Sequence, residues 1–260
     1  MVLLHTQIFS HALGFGCGVE VLLPELPSDA PAEHEDWPCL YLLHGLSDDQ
    51  TRWQRQTSLE RYCDQLDTPL AVVMPAVHRS FYTDMANGYA YGQFISEELP
   101  RKMRQLFRIS DQPDKTYLAG LSMGGYGAMK LALTHPQRYA AAASLSGSLH
   151  LAPLVDQPQD WYSNDVRLVF GDGAEITGTE HDLMHLIDRA AESDTPCPPL
   201  YACCGVDDFL ISANRRFRQK AERAGLPLTY EEGPGIHDWA YWDAAIQRVL
   251  AWLPLADKTD

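Results

Sequence analysis

The stretch "YLAGLSMGGYGAMKLAL", Tyr117 to Leu133, decides how the rest of the chain is read. Tyr117-Leu118-Ala119 has the apolar run of a buried strand, and Ala128 to Leu133 has the alanine, leucine and methionine content of a helix. Between them one serine, Ser122, stands between Gly120 and Gly124. A strand that turns this abruptly into a helix leaves no room for side chains beside the serine. Small residues on both flanks are what such a turn demands. The pattern predicts a strained corner that holds up a single hydroxyl, and the question becomes whether the chain supplies a base for it.

Outward from this corner, apolar runs alternate with helical patterns. "LLHTQIFSHALG" and "CGVEVLLP" predict two antiparallel strands joined near Leu13 to Gly16. Ser28 to Trp37, with its prolines and acids, reads as a surface loop. Buried strands are expected at Cys39 to Gly45, Leu70 to Pro75, Lys115 to Leu121, Tyr139 to Gly147, Pro199 to Gly205 and Leu226 to Gly233. Helices are expected at Thr57 to Leu66, Ser96 to Phe107, Leu183 to Ala191, Ser212 to Ala224 and Trp239 to Trp252. Leu149 to Ser163, rich in Pro, Asp and Gln, breaks the alternation. The expected architecture is α/β, a mostly parallel central sheet with an antiparallel N-terminal hairpin and helices on both faces. No repeat or linker divides the chain, so residues 1–260 are expected to form one domain.

Composition excludes several classes of partner. A formal charge of −15 disfavours nucleic acid and anionic membrane surface, which both require clustered Lys and Arg. "RRFR" and "RKMRQLFR" read as solvated helix faces. Met1 to Ser10 lacks the basic start and long apolar core of a signal peptide, and no run reaches the ~18 apolar residues of a membrane span. The six cysteines show no metal-type spacing and are expected to be reduced, which suits the cytoplasm. No cofactor motif and no metal site are expected. His181 and His185, in "HDLMH", would form an i, i+4 pair on a helix, but the glutamate of a zinc-protease motif is missing and they read as surface residues.

In an α/β sheet the reactive groups gather at the carboxyl ends of strands. Ser122 follows one predicted strand, Asp207 and Asp208 follow another, and His237 in "GPGIHDW" follows the last. A serine hydroxyl needs a histidine to take its proton, and the histidine needs a buried carboxylate to fix its tautomer. The oxyanion of an attacked carbonyl needs two donors. The Met123 backbone N–H, after the serine, and the Leu46 N–H, after "LYLLHG", are the expected pair.

"YLLHGLSDDQTRWQRQTSLERY", "FYTDMANGYAYGQFISEELP", "LAGLSMGGYGAMKLAL", "CGVDDFL" and "HDWAYW" together resemble the esterase D-like family, from about Gln7 to Trp252. That family includes short-chain (tributyrin-type) carboxylesterases, S-formylglutathione hydrolases and mycolyltransferases. The resemblance implies an α/β-hydrolase fold with Ser122, Asp208 and His237 as triad. Asp208 is preferred over Asp207 because the third residue beyond Gly205 is the usual place of the acid in this fold. The compact length and the "FYTDM" block look more like the short-chain esterases.

The expected activity is therefore a serine carboxylesterase that hydrolyses short-chain acyl esters through an acyl-enzyme, with a small-molecule ester or thioester as its partner. S-formylglutathione hydrolase is the alternative, ahead of an acyltransferase with a lid at Leu149 to Ser163 or an inactive binding protein on this scaffold. Phe81, Tyr82, Tyr89 and Tyr91 are candidate walls of the substrate pocket. His44 reads as a support of the Leu46 loop, and Asp84 as a loop-bonding acid. Cys204, near Asp208, is a place where oxidation would reach the site. Nothing in these motifs distinguishes a monomer from a homo-oligomer.

Overall fold

In the computed structural model, residues 1–25, 36–156 and 160–255 are described. Most of the predicted Ser28 to Trp37 loop lies outside them. The eight strands are β1 (Val2–Ser10), β2 (Phe15–Leu23), β3 (Cys39–Leu43), β4 (Ala71–Pro75), β5 (Thr116–Leu121), β6 (Ala141–Leu145), β7 (Leu200–Gly205) and β8 (Leu228–Gly233). They form one sheet in the order β1-β2-β4-β3-β5-β6-β7-β8. The β1–β2 hairpin is antiparallel and joins β4 antiparallel, while every pairing from β4 to β8 is parallel. This is the mostly parallel sheet with an antiparallel N-terminal hairpin that the strand and helix pattern predicts, in the α/β-hydrolase arrangement that the family resemblance implies.

The helices are α1 (Arg52–Gln56), α2 (Leu59–Asp64), α3 (Tyr91–Gln93), α4 (Leu99–Leu106), α5 (Met123–Thr134), α6 (Ala152–Asp156), α7 (Asp160–Phe170), α8 (Leu183–Ala191), α9 (Ile211–Arg223) and α10 (Trp239–Trp252). Side chains of a strand alternate between faces, and each central strand here is buried along its whole length. Tyr41, Leu43, Val73 and Leu118 therefore join one core with α4, α5, α8 and α9. Leu40, Leu42, Val72 and Ala119 join the opposite core with α1, α2 and α10. A sheet covered on both faces can carry a site only at its ends, where loops replace helices.

Two segments differ from the sequence expectation. The helix predicted from Ser96 begins at Tyr91 and passes through a π turn at Phe94–Glu98 before α4. Helical spacing alone does not reveal such a turn. The polar region after Leu149 contains α6 and the start of α7. Ala152 and Val155 reach the core from α6, and Val166 and Val169 from α7. Tertiary burial of these few apolar residues outweighs the local Pro, Asp and Gln content. Residues 157–159 of the Leu149 to Ser163 stretch, where the acyltransferase alternative would need a lid, lie outside the described residues.

The first turn of α5 crosses the ends of β3 and β5 with backbone against backbone. A Cβ built on Gly124 would overlap the Leu43 carbonyl oxygen and stand 2.8 Å from that of His44. One on Gly120 would stand 2.5 Å from the Gly124 carbonyl carbon. Gly124→Ala should therefore destabilise the fold by ~1–3 kcal/mol through overpacking. It should also lower activity beyond that loss by displacing the loop after β3. Urea unfolding midpoints and specific activity measured on the same preparation check both effects.

Candidate active site

Ser122 lies between the last residue of β5 and the first of α5. Its φ is 53°, a left-handed value that costs a residue with a Cβ about 1–2 kcal/mol. Backbone hydrogen bonds hold it there on both sides. The Ser122 N–H donates to Leu145 at 2.9 Å, and its carbonyl accepts from Tyr126 and Ser148, each at 3.1 Å. The corner read from the two glycines is present, and the hydroxyl it raises opens on a cavity of about 430 Å3.

His237 and Asp208 reach this hydroxyl from the loops after β8 and β7. The His237 Nε2 is 3.1 Å from Ser122 Oγ, and Nδ1 is 2.9 Å from Asp208 Oδ2. With Asp208 ionised, Nδ1 carries the proton and donates it to the carboxylate, so Nε2 is free to accept from the serine. Asp208 is fully buried at its side chain and also accepts from the Leu210 N–H at 2.8 Å. Burial pushes its carboxyl up, but the hydrogen bond from His237 and the Leu210 N–H together hold it below the ordinary carboxylate value. Asp207 points away into solvent, and its backbone N–H donates to Gly235. The geometry thus puts Asp208, and not Asp207, against His237.

The loop after β3 passes beside the serine. A Cβ built on Gly45 would lie 3.7 Å from the Ser122 Cβ, and Leu46 lines the cavity. His44 holds this loop from behind. Its Nδ1–H donates to the Gly45 carbonyl at 2.7 Å, and its Nε2 accepts from the Val77 N–H at 3.1 Å. Both ring nitrogens are used by the neutral form, and burial lowers the imidazole pKa to about 4. His44 is therefore a support and not a base, as its place before Gly45 suggests. The Gly45 carbonyl belongs to the peptide whose N–H is that of Leu46, so the His44 bond fixes that donor's direction. Met123, the first residue of α5, lines the same cavity.

Of the four candidate pocket aromatics, only Phe81 is in the cavity wall. Tyr82, Tyr89 and Tyr91 are outside it, which corrects the expectation. The reason is the path of the loop, which turns back through a bridge between Asp84 and Ala90. Tyr89 and Tyr91 are carried away from the cavity, Tyr89 packing edge-on against Phe15 and Tyr91 against Tyr89. Tyr82 is buried and donates to the His44 carbonyl at 2.8 Å, so it braces the oxyanion loop from outside. Asp84 accepts from the Gln93 N–H, as a loop-bonding acid should.

His181 also departs from its reading as a surface residue. It precedes α8, and its Nδ1 lies 3.2 Å from Lys130 Nζ and 3.3 Å from Thr83 Oγ1. His185 sits within α8, so the two histidines do not share one helix face. Among the described residues no cluster could hold a metal ion. Cys204 is buried, and desolvation raises its thiol pKa strongly, which removes the thiolate that oxidation requires. Residues not singled out from the sequence complete the site: Phe209 and Trp242 flank the His237 ring, with centroids 4.5 and 4.8 Å away. Their only sequence signal is adjacency, Phe209 to Asp208 and Trp242 to "HDW".

Residues 10–253 match the family model described as "Putative esterase". The chain is 30% identical over 245 residues to an acetyl esterase of Caldicellulosiruptor saccharolyticus, covering 89% of this chain and 91% of that one. Two solved Staphylococcus aureus structures are similar, each 37% identical and covering 97% of this chain and 98% of the other. One is the fluorophosphonate-binding serine hydrolase FphF, with a TM-score of 0.89. The other is titled as an S-formylglutathione hydrolase (FrmB), with a TM-score of 0.86. With a serine, a histidine and a buried aspartate in hydrogen-bonded sequence at the mouth of an α/β-hydrolase sheet, this chain belongs to that esterase family and is a serine hydrolase.

Proposed function

We propose that the chain is a carboxylesterase for short-chain acyl esters, acting as a single α/β-hydrolase unit through a Ser122–His237–Asp208 triad. The observation that carries this reading is the relay itself, 3.1 Å from Ser122 Oγ to His237 Nε2 and 2.9 Å from Nδ1 to Asp208. His237 takes the Ser122 proton as Oγ attacks the ester carbonyl, and the carbonyl electrons move onto its oxygen. The Leu46 and Met123 N–H groups hold that oxyanion. Collapse breaks the bond to the alcohol oxygen, which receives the proton from Nε2 and departs. A water then gives a proton to His237 and its hydroxyl to the acyl carbon. Ser122 recovers the proton as the carboxylic acid leaves.

Several features support a short acyl group. Phe81 closes part of the cavity and is backed by Tyr126 and Phe170, with centroids 5.9 and 5.7 Å away. Arg79, also in the wall, is clamped to Asp165 of α7 by two hydrogen bonds of 2.7 and 2.6 Å. A wall tied in this way resists a long chain. The relative named as an acetyl esterase agrees with this size. A thioesterase reading is kept by one observation, the likeness to the structure titled S-formylglutathione hydrolase. The six cysteines are free thiols, which suits a cytoplasmic location. No helix of the described residues is long and apolar enough to cross a membrane. Rates on p-nitrophenyl esters of increasing acyl length, with S-formylglutathione alongside, test the assignment. The expected profile falls steeply with acyl length, and a preference for the thioester would replace esterase with thioesterase.

Ser122→Ala should abolish hydrolysis, because loss of a triad nucleophile costs on the order of 10⁶ in kcat. It should also abolish labelling by a fluorophosphonate probe while circular dichroism stays unchanged. Retention of more than a few per cent of activity would remove Ser122 from the mechanism.

The two adjacent acids give a second test. Asp208→Asn should leave KM nearly unchanged and lower kcat by about 10⁴, because the amide favours the wrong tautomer of His237. Asp207→Asn changes an exposed side chain and should cost less than roughly tenfold. Steady-state kinetics of both variants on one acetate ester would show the reverse order if the acid were misassigned.

A further inference from the structure

The most exposed large apolar side chain of the described residues is Phe209, at 73%. It directly follows Asp208, which is 2% exposed, and its ring lies against His237 at 4.5 Å. A phenyl ring left in water at the edge of a reactive imidazole is a place where bound apolar surface gains most from burial. Chemistry states which part of an ester must come there. In the acylation step Nε2 of His237 hands its proton to the leaving oxygen, so that oxygen lies within hydrogen-bond reach of the imidazole. The alcohol beyond it then extends past His237, over the residues that surround this ring.

Those residues are mostly apolar. Phe209 and Leu210 line the cavity from the loop after β7, Trp239 and Trp242 from α10, and Leu154 from α6. Trp242 meets the His237 ring edge-on and Trp239 in turn, at 5.3 Å. The patch continues outward along the same two loops, where Val206 is 41% and Ile236 54% exposed. Backbone bonds from Val206 to Gly233 and from Asp207 to Gly235 hold these loops together.

Charge in the cavity wall disfavours the other class of leaving group. Its two cations already face carboxylates: Arg52 Nε is 3.3 Å from Asp48, and Arg79 is held bidentately by Asp165. Arg52 also spreads its guanidinium over Trp239, at 5.9 Å. On the His237 side Asp238 caps α10, its carboxylate accepting from the Tyr241 N–H, while Arg215 and Arg216 line the neighbouring hollow that Phe209 also borders, Arg215 paired with Glu232. An anionic leaving group would lose water among aromatic rings and meet a carboxylate.

We infer that the leaving-group side of this cavity, built on Phe209, is a subsite for an uncharged, apolar alcohol, aryl or alkyl, and disfavours an anionic one. The inference rests on the esterase reading above. It separates two substrate classes which that reading leaves together, since a glutathione thiol carries carboxylates and a simple alcohol does not.

The test uses three acetates that share one acyl group: benzyl acetate, 4-(acetoxymethyl)benzoate and 2-methoxyethyl acetate, with proton release followed by pH-stat. The first two differ by one remote carboxylate, and the third is small, neutral and polar. Benzyl acetate should show a KM about tenfold below that of either comparison ester. Phe209→Ser should raise that KM about tenfold and leave the methoxyethyl ester within about twofold, and Phe209→Leu should restore most of the loss. Fluorophosphonate labelling of Ser122 in each variant confirms a folded site. Equal or better turnover of the carboxylate ester would overturn the inference. So would an equal fall in kcat on all three esters in Phe209→Ser, which would reduce the ring to a prop for His237. If the unaltered protein cleaved none of the three, the esterase reading itself would fall, and the inference with it.

Discussion

The close crossing of α5 over the ends of β3 and β5 is the contact from which the rest of the site follows. Gly124 lies against the carbonyls of Leu43 and His44, and Gly120 lies against Gly124, so no side chain fits between these backbones. That contact brings the N-terminus of a helix and the loop after β3 to the same point. It forces Ser122 into a left-handed conformation, whose cost is offset by the Leu145, Tyr126 and Ser148 hydrogen bonds. Ser122 and the loop after β3 are thus placed by one packing decision, made in backbone atoms that no rotamer change can undo.

Around this point the protein uses neutral supports where charge would be costly. His44 is buried and stays neutral, because each ring nitrogen already has the partner that the neutral form needs. Tyr82, itself at φ 55°, reaches the His44 carbonyl from the far side. His237 is treated differently. Its one charged partner, Asp208, is enclosed and held ionised, while the Trp242 ring, edge-on at 4.8 Å, limits how far the imidazole can turn.

The outer wall depends on the loop from Arg79 to Tyr91, which meets α7 through backbone as well as side chains. Ala86 and Asn87 donate to Val169 and Leu168, and Arg79 clamps Asp165. Beneath it Lys130 of α5 is almost wholly buried and donates to Thr83 at 2.7 Å. Burial lowers its pKa to about 8, and the neighbouring His181 is lowered to about 4 by burial and by Lys130. This cluster ties the nucleophile helix to the loop that carries Phe81. The cavity is therefore shaped by the same elements that hold the serine.

The elbow, the chain order of Ser122, Asp208 and His237, and the hairpin followed by a parallel sheet were all legible in the amino acids. Each depends on local rules: glycines where backbones touch, apolar runs where a strand is covered on both faces, and reactive residues just past strand ends. Tertiary structure alone set Asp208 and not Asp207 against His237, because adjacent residues in a turn point in different directions and spacing supplies only a precedent. It alone put Tyr82, Tyr89 and Tyr91 outside the cavity, because Asn87-Gly88 marks the turn of the Asp84–Ala90 bridge without saying where the rings go, and Tyr82 is drawn to the His44 carbonyl. It set the half-buried His181 beside Lys130, a partner 51 positions away along the chain. It also left Phe209 in water beside His237, since the exposure of one ring depends on what packs over it and not on the residues next to it in sequence.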